Sequence, residues 1–260
     1  MDKTSTVPVL KVTESGRTGA EETVAREFPL TIVFNNKELV TMLCSPDALE
    51  ELAVGFLFSE GLLQSKDELG KVLADPRRGI VRVETRGERE VDTEQVFKRF
   101  ITSGCGRGAS FYSPADAQAQ PKIESGITIA PQAVFTLMSE FQHRSEVFRA
   151  TGGVHSAALS DGEKILVFAE DIGRHNALDK IFGQCLLKDM SLADRIILTS
   201  GRISSEMLLK VARRKIPVVI SKSAPTDLGV KLARDLGVTL IGFVRGKRMN
   251  VYANEERVVA

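Results

Sequence analysis

The 260-residue sequence has no tryptophan, only three cysteines and no long apolar run. The cysteines are too scattered for a disulfide framework, and no Cys-x-x-Cys pair of the kind used in zinc sites occurs. The longest apolar run, 52–58, is far shorter than the roughly 20 residues that span a membrane. The N-terminus also lacks the apolar core of a signal peptide. These absences predict a cytoplasmic protein with reduced thiols, no membrane association and no bound metal.

Charge is almost balanced. The chain has 35 Lys and Arg against 34 Asp and Glu, a formal net charge of +1. This balance argues against a general nucleic-acid-binding or membrane-surface protein, so any anionic ligand must be met by local clusters of cations.

The first half has the pattern of a small α+β domain over residues 27–101, preceded by a polar segment, 1–26, that we expect to be a mobile tail. Apolar runs at 30–34 and 39–43 flank Asn35 and Asn36 and predict a hairpin. Ser45, followed by proline and aspartate, predicts the capped start of a helix. Residues 102–126 are rich in Gly, Ser, Ala and Pro and indicate a loop and linker.

The second half, 127–260, has a different order of predicted helices and strands. A helix is predicted at 131–148, and two strands at 154–159 and 164–169 form a hairpin. Strands at 195–199, 217–221 and 238–244 then alternate with helices at 174–188, 204–214 and 225–236. Such alternation predicts an α/β domain in which helices cover both faces of a parallel sheet.

Three loops follow the predicted parallel strands, at 199–202, 221–226 and 245–248. The first two lead into helix N-termini, which attract anions, and all three add hydroxyls, glycines or cations. Each loop alone is explained by helix capping and solvated charge, but three loops on one sheet edge favour a site for a phosphorylated ligand such as a nucleotide. The candidates are Ser200, Gly201, Arg202, Ser221, Arg245, Gly246, Lys247 and Arg248.

Cys105 lies between Gly104 and Gly106, close to Arg107. Glycines permit close approach of a partner, and a cation favours the thiolate, so this setting predicts a reactive cysteine more than a bystander thiol. By contrast, Cys44 ends an apolar strand and Cys185 lies on an apolar helical stripe, which indicates inert packing.

A further polar cluster lies where a strand turns into a helix, with a second histidine at the start of a strand of the same sheet. Its members are Asp171, Arg174, His175 and His155. Either histidine is a candidate to tune a thiol or to act as an acid or base near pH 7. The alternatives remain that Asp171 caps the helix and that His155 is a satisfied core residue.

Taken together, these motifs resemble the formate dehydrogenase accessory sulfurtransferase family (FdhD), over a stretch from about residue 29 to the C-terminus. The most specific segment is EDIGRHNALDK at 170–180. The others are PD at 46–47, LAVGF at 52–56, SEG at 59–61, the glycine-flanked Cys105, TGGVHSA at 151–157, SGRISSEM at 200–207, LIGFVR at 240–245 and VY at 251–252.

The resemblance implies a sulfurtransferase that accepts sulfur from a cysteine desulfurase as a Cys105 persulfide. The sulfur then passes to the molybdenum bis(molybdopterin guanine dinucleotide) cofactor required by formate dehydrogenase. It also implies a homodimer, a C-terminal three-layer αβα domain similar to cytidine deaminases, and a cofactor-binding stretch, Phe243, Val244, Arg245, Gly246, Lys247 and Arg248. The family has a second cysteine where this chain has Gly108, which puts a two-thiol relay in doubt.

Two other functions share part of this pattern. A non-catalytic cofactor-binding chaperone needs the anion site but not Cys105, and it remains open. A zinc deaminase needs His-x-Glu and Cys-x-x-Cys ligands, whereas Ser156 and Ala157 follow His155, so that function is excluded.

Overall fold

A computed structural model describes residues 1–87 and 121–259. Cys105, and with it most of the predicted loop and linker, lies outside the described residues.

The N-terminal segment is a β-hairpin. β1 (Thr4–Thr13) and β2 (Gly16–Ala25) pair antiparallel along their whole length, from Thr4 opposite Ala25 to Thr13 opposite Gly16. The prediction of a mobile tail at 1–26 is therefore wrong. Valine and threonine in β1 favour extended backbone, and the polar composition reflects the large exposed surface of a hairpin instead of a lack of structure.

A four-stranded sheet follows, formed by β3 (Phe28–Phe34), β4 (Lys37–Cys44), β5 (Leu69–Asp75) and β6 (Ile80–Thr85) in the order β4-β3-β6-β5. The predicted hairpin between β3 and β4 is confirmed. Asn35 and Asn36 adopt φ of 46° and 64°, the left-handed conformation that a two-residue turn of this type requires.

Helix α1 (Leu49–Ser59) covers this sheet, but Ser45 does not cap it. The helix begins after Ala48, which has φ of 50° and no side-chain cap. Ser45 instead donates its N–H to the Asp171 carboxylate at 3.0 Å, and its hydroxyl accepts the N–H of Ile172 at 3.2 Å. Ser45 therefore links the two halves of the protein instead of capping α1.

The second half is built on a six-stranded sheet in the order β12-β11-β10-β9-β7-β8. Its strands are β7 (His155–Ser160), β8 (Ile165–Asp171), β9 (Ile196–Thr199), β10 (Val218–Ser221), β11 (Thr239–Arg245) and β12 (Arg248–Ala253). β9, β10 and β11 are parallel, as predicted, whereas β7 and β12 run in the opposite direction to their neighbours.

Helices cover both faces of this sheet: α2 (Pro131–Arg144), α3 (Glu146–Thr151), α4 (Arg174–Leu187), α5 (Ser205–Arg213) and α6 (Asp227–Leu236). In β9, Ile196 and Leu198 pack with α2, and Ile197 packs with the core of α4, α5 and α6. This is the expected three-layer αβα arrangement. The helix predicted at 131–148 is two helices, which meet at Ser145.

The two halves share one hydrophobic core. Leu52 and Leu57 of α1 belong to the same buried cluster as Leu178 and Ile181 of α4, because the two helices pack along each other.

Candidate functional site

The predicted loops lie along one edge of the six-stranded sheet. The ends of β8, β9, β10 and β11 and the start of β7 meet there, and helices α4, α5 and α6 begin there. Ser204 caps α5 by accepting the N–H of Met207, and Thr226 caps α6 by accepting the N–H of Gly229. The convergence of three helix N-termini gives this edge a positive potential that suits an anion.

The loops after β9 and β10 are fastened to each other. The Ser221 hydroxyl donates to the Gly201 carbonyl at 2.8 Å, and the Ser223 hydroxyl donates to the Ser200 carbonyl at 2.8 Å. The Ser223 carbonyl in turn accepts the N–H of Phe243 at 3.1 Å. Ser221 is fully buried, so its side chain shapes the loops instead of facing a ligand.

The turn between β11 and β12 presents the third candidate stretch. Phe243 has φ of 52°, and the strand register shifts between Gly242 and Arg245. The Arg245 guanidinium lies 5.4 Å from the centre of the Phe243 ring, and the side chains of Arg245, Lys247 and Arg248 are exposed with Gly246. Val244 is buried in the core, so this residue of the stretch is not presented at the surface.

His155 lies at the other end of this edge, beside the loop after β9. Its Nδ1 is 3.3 Å from the Ser200 hydroxyl, which also accepts the N–H of Ser156 at 2.9 Å. Burial, together with the positive charges of Arg174 and Arg202, lowers the pKa of His155. Arg174 is held close because Gly201 has no side chain: a Cβ there would lie 2.9 Å from the Arg174 Cβ.

His175 belongs to the same cluster. Its Nε2 lies 3.7 Å from a Glu206 carboxylate oxygen. Burial, and then the charges of Lys210, Arg174 and His155, lower the pKa of His175 well below its usual range. Both shifts favour the neutral form of the imidazole ring.

Asp171 is fully buried and bonds to groups from both halves of the protein. Its carboxylate accepts the N–H of Ser45 at 3.0 Å and of Gly173 at 2.9 Å, and it accepts the Asn176 amide at 2.9 Å. Lys180 Nζ lies 2.8 Å from the same carboxylate. Asp171 thus fixes the start of α4 against the N-terminal half, which is a positioning role close to the predicted capping alternative.

The structure brings His155, Arg174, His175, Ser200, Gly201 and Arg202 together in one cluster, and it places the β11–β12 turn on the same edge. Ser223 and Glu206 are not among the predicted site residues, although they lie in the stretches 221–226 and 200–207. Their partners come from other elements of the fold, so no local pattern predicts these contacts.

The other two cysteines are inert, as predicted. Cys44 and Cys185 are fully buried, and burial is the main cause that raises the pKa of Cys44 to about 12 and of Cys185 to about 11. Burial closes both thiols to another protein, and their raised pKa values disfavour the thiolate near neutral pH.

A sequence profile of the FdhD/NarQ family matches residues 25–259. The chain belongs to the FdhD/NarQ family. The match includes the whole candidate edge and leaves out most of the N-terminal hairpin.

Known FdhD/NarQ proteins match over nearly their full length. The protein named sulfur carrier protein FdhD of Bacillus subtilis (strain 168) is 46% identical over 238 residues, which cover 92% of this chain and 91% of that protein. The protein of the same name from Staphylococcus aureus (strain MRSA252) is 42% identical over 252 residues, which cover 97% of this chain and 95% of that protein.

A solved structure has the same fold. It is the crystal structure of a candidate formate dehydrogenase accessory protein from Desulfotalea psychrophila, which is 28% identical in sequence. The two structures superpose with a TM-score of 0.83, and the superposition covers 99% of this chain and 100% of that chain. The described residues of this chain therefore have the fold of that accessory protein.

Among residues 1–87 and 121–259, no three His, Cys, Asp or Glu side chains are grouped so as to hold a metal ion. In the same ranges, every helix is too short or too polar to cross a membrane.

Proposed function

We propose that this protein is a sulfur carrier that holds sulfur on Cys105 as a persulfide and transfers it to a molybdenum bis(molybdopterin guanine dinucleotide) cofactor. The cofactor is the substrate of this sulfurtransferase, and formate dehydrogenase is the enzyme that receives it. The FdhD/NarQ membership and the names of the relatives, sulfur carrier protein FdhD, support the sulfur-carrier role. A cysteine desulfurase as donor and a homodimeric assembly belong to the same proposal.

The observation that carries the proposal is the burial of two of the three cysteines. A sulfur carrier needs a thiol that a partner can reach and that ionises readily. Cys44 and Cys185 satisfy neither requirement, because both are buried and their pKa values are raised. Cys105 is the remaining cysteine of the sequence.

The loading step is a thiol–disulfide-type exchange. The Cys105 thiolate attacks the terminal sulfur of the desulfurase persulfide, a new S–S bond forms on Cys105, and the desulfurase cysteine leaves as its thiolate. No external oxidant or reductant is consumed, because the sulfur moves between two thiols.

The sheet edge supplies the binding groups for the nucleotide tail of the cofactor. Its pyrophosphate is anionic, and the edge offers three helix N-termini with Arg174, Arg202, Arg245 and nearby cations. Because the loops are fastened by the Ser221 and Ser223 hydrogen bonds, these groups are arranged before the ligand binds.

A cofactor-binding chaperone without sulfur transfer is the second candidate. Every anion-binding group described above lies between residues 155 and 248, so the edge does not need Cys105 to bind the cofactor. This favours the chaperone. Gly108, at the position of the family's second cysteine, also favours the chaperone.

The two functions are separated by the activity of formate dehydrogenase in cells that contain only a variant of this protein. We expect Cys105→Ala to bind guanine nucleotides but to leave the enzyme inactive, because the carrier sulfur is lost. Cys185→Ala is the matched control and is expected to support activity. Full activity with Cys105→Ala would reject the carrier and leave the chaperone.

A further inference from the structure

His155 occupies a position where three elements of the anion-binding edge meet. It is the first residue of β7, it pairs with Asp171 of β8, and its ring contacts Ser200 in the loop after β9. The N-terminus of α4 contributes Arg174 to the same cluster.

Ser200 holds the ring of His155. Nδ1 of His155 lies 3.3 Å from the Ser200 hydroxyl oxygen, which also accepts the N–H of Ser156. The hydroxyl can donate to Nδ1 or accept from it, so both neutral tautomers of the ring are compatible with this contact. In either tautomer the neutral ring becomes a cation by gaining a second proton.

The charged groups around His155 oppose that second proton. Arg174 of α4 and Arg202 of the β9–α5 loop disfavour the protonated ring, whereas Asp171 of β8 favours it. Asp171 is already paired with Lys180. His175, the nearby histidine of α4, is itself held neutral. Burial of the ring is the main cause of the lowered pKa of His155, and the charges of the two arginines lower it further.

A bound anion would favour the protonated ring, because its negative charge offsets those of Arg174 and Arg202. We propose that His155 is a ligand-binding residue of this edge and takes up a proton when a pyrophosphate group binds beside it. This inference rests on the proposed function, since it assigns a proton-linked role within the same nucleotide site.

The sign of the pH dependence follows from linkage. In the unliganded protein the pKa of His155 lies below 6.5, and the anion raises it in the complex. Above both pKa values His155 is neutral in either state, and the affinity does not change with pH. As the pH falls through the pKa of the complex, the complex binds the extra proton first, so the affinity increases. A pKa difference of one unit corresponds to about tenfold in affinity.

The probe should not titrate in this range. Guanosine diphosphate mannose is suitable, because its pyrophosphate is a diester, whereas a terminal phosphate monoester titrates near about pH 6. Binding to the full chain would be measured by titration calorimetry from pH 8 to pH 5.5 at constant ionic strength. Repeating the titration in two buffers of different ionisation enthalpy counts the protons taken up by the unmodified protein.

We expect the affinity to rise by up to about tenfold between pH 8 and pH 5.5, with a net proton uptake on binding. His155→Gln should remove both the rise and the uptake, because glutamine keeps a hydrogen-bonding side chain that does not titrate. His143→Gln is the matched control, since His143 lies exposed on α2 and bonds its own helix. It should keep the full pH dependence.

The outcomes separate this inference from the proposed function. A probe that binds with an unchanged pH dependence in His155→Gln, or with no proton uptake by the unmodified protein, overturns the role of His155 alone. Loss of the dependence in His175→Gln but not in His155→Gln assigns the proton to the other histidine and also overturns it. No binding at any pH rejects the nucleotide site itself.

Discussion

Gly55 of α1 and Gly183 of α4 face each other where the two helices cross. A Cβ atom on Gly55 would overlap the Asp179 carbonyl, and one on Gly183 would overlap the Glu51 carbonyl. This contact lets the backbones of the two helices touch and joins the N-terminal sheet to the helix whose first turn carries Arg174 and His175.

Gly183→Ala is therefore expected to destabilise the whole protein. The added methyl group has no space and must push the helices apart, so we expect the free energy of unfolding to fall by about 3 kcal/mol. Chemical denaturation monitored by circular dichroism would measure the change.

Gly126→Ala is the matched control, because nothing lies within 4 Å of a Cβ there. Its effect should stay within about 0.5 kcal/mol of the unmodified protein. Equal stability of the two variants would show that the helices do not pack as closely as the structure indicates.

Removal of the cations of the β11–β12 turn should weaken nucleotide binding. Lys247→Ala with Arg248→Ala is expected to reduce the affinity for guanosine diphosphate by about tenfold at low salt, since each exposed charge contact contributes up to about 1 kcal/mol. The difference should shrink as the salt concentration rises, because exposed charges are screened. Binding would be measured by calorimetry at several ionic strengths.

Lys37→Ala with Lys71→Ala removes the same charge from the exposed N-terminal sheet and serves as the control. If it reduces the affinity equally, the effect is one of net charge, and the turn is not part of the site.

Local sequence signals predicted much of the fold. The turn at Asn35 and Asn36, the β7–β8 hairpin and the alternation of helices and strands after Arg174 each rest on residues close in sequence, and the structure contains all of them. The N-terminal hairpin was missed because both of its strands are largely exposed, so no buried stripe marks them.

The candidate site was predictable only in part, because some of its contacts join residues that are distant in sequence. The hydroxyl and glycine loops are visible in the sequence, and the order of the strands places them on one edge. The roles of Ser45 and Asp171 depend on a contact between residues 126 positions apart, and the ion pair of Lys210 with Asp179 spans 31. No local pattern contains such contacts, because they arise only when the two halves pack.

In the proposed function, Cys105 carries the sulfur. The most direct test is the intact mass of the protein after incubation with a cysteine desulfurase and free cysteine, with Cys105→Ala and Cys185→Ala measured in parallel. We predict a mass gain of one sulfur in the unmodified protein and in Cys185→Ala, removed by a reductant and absent from Cys105→Ala. A gain of the same labile sulfur by Cys105→Ala would contradict the account.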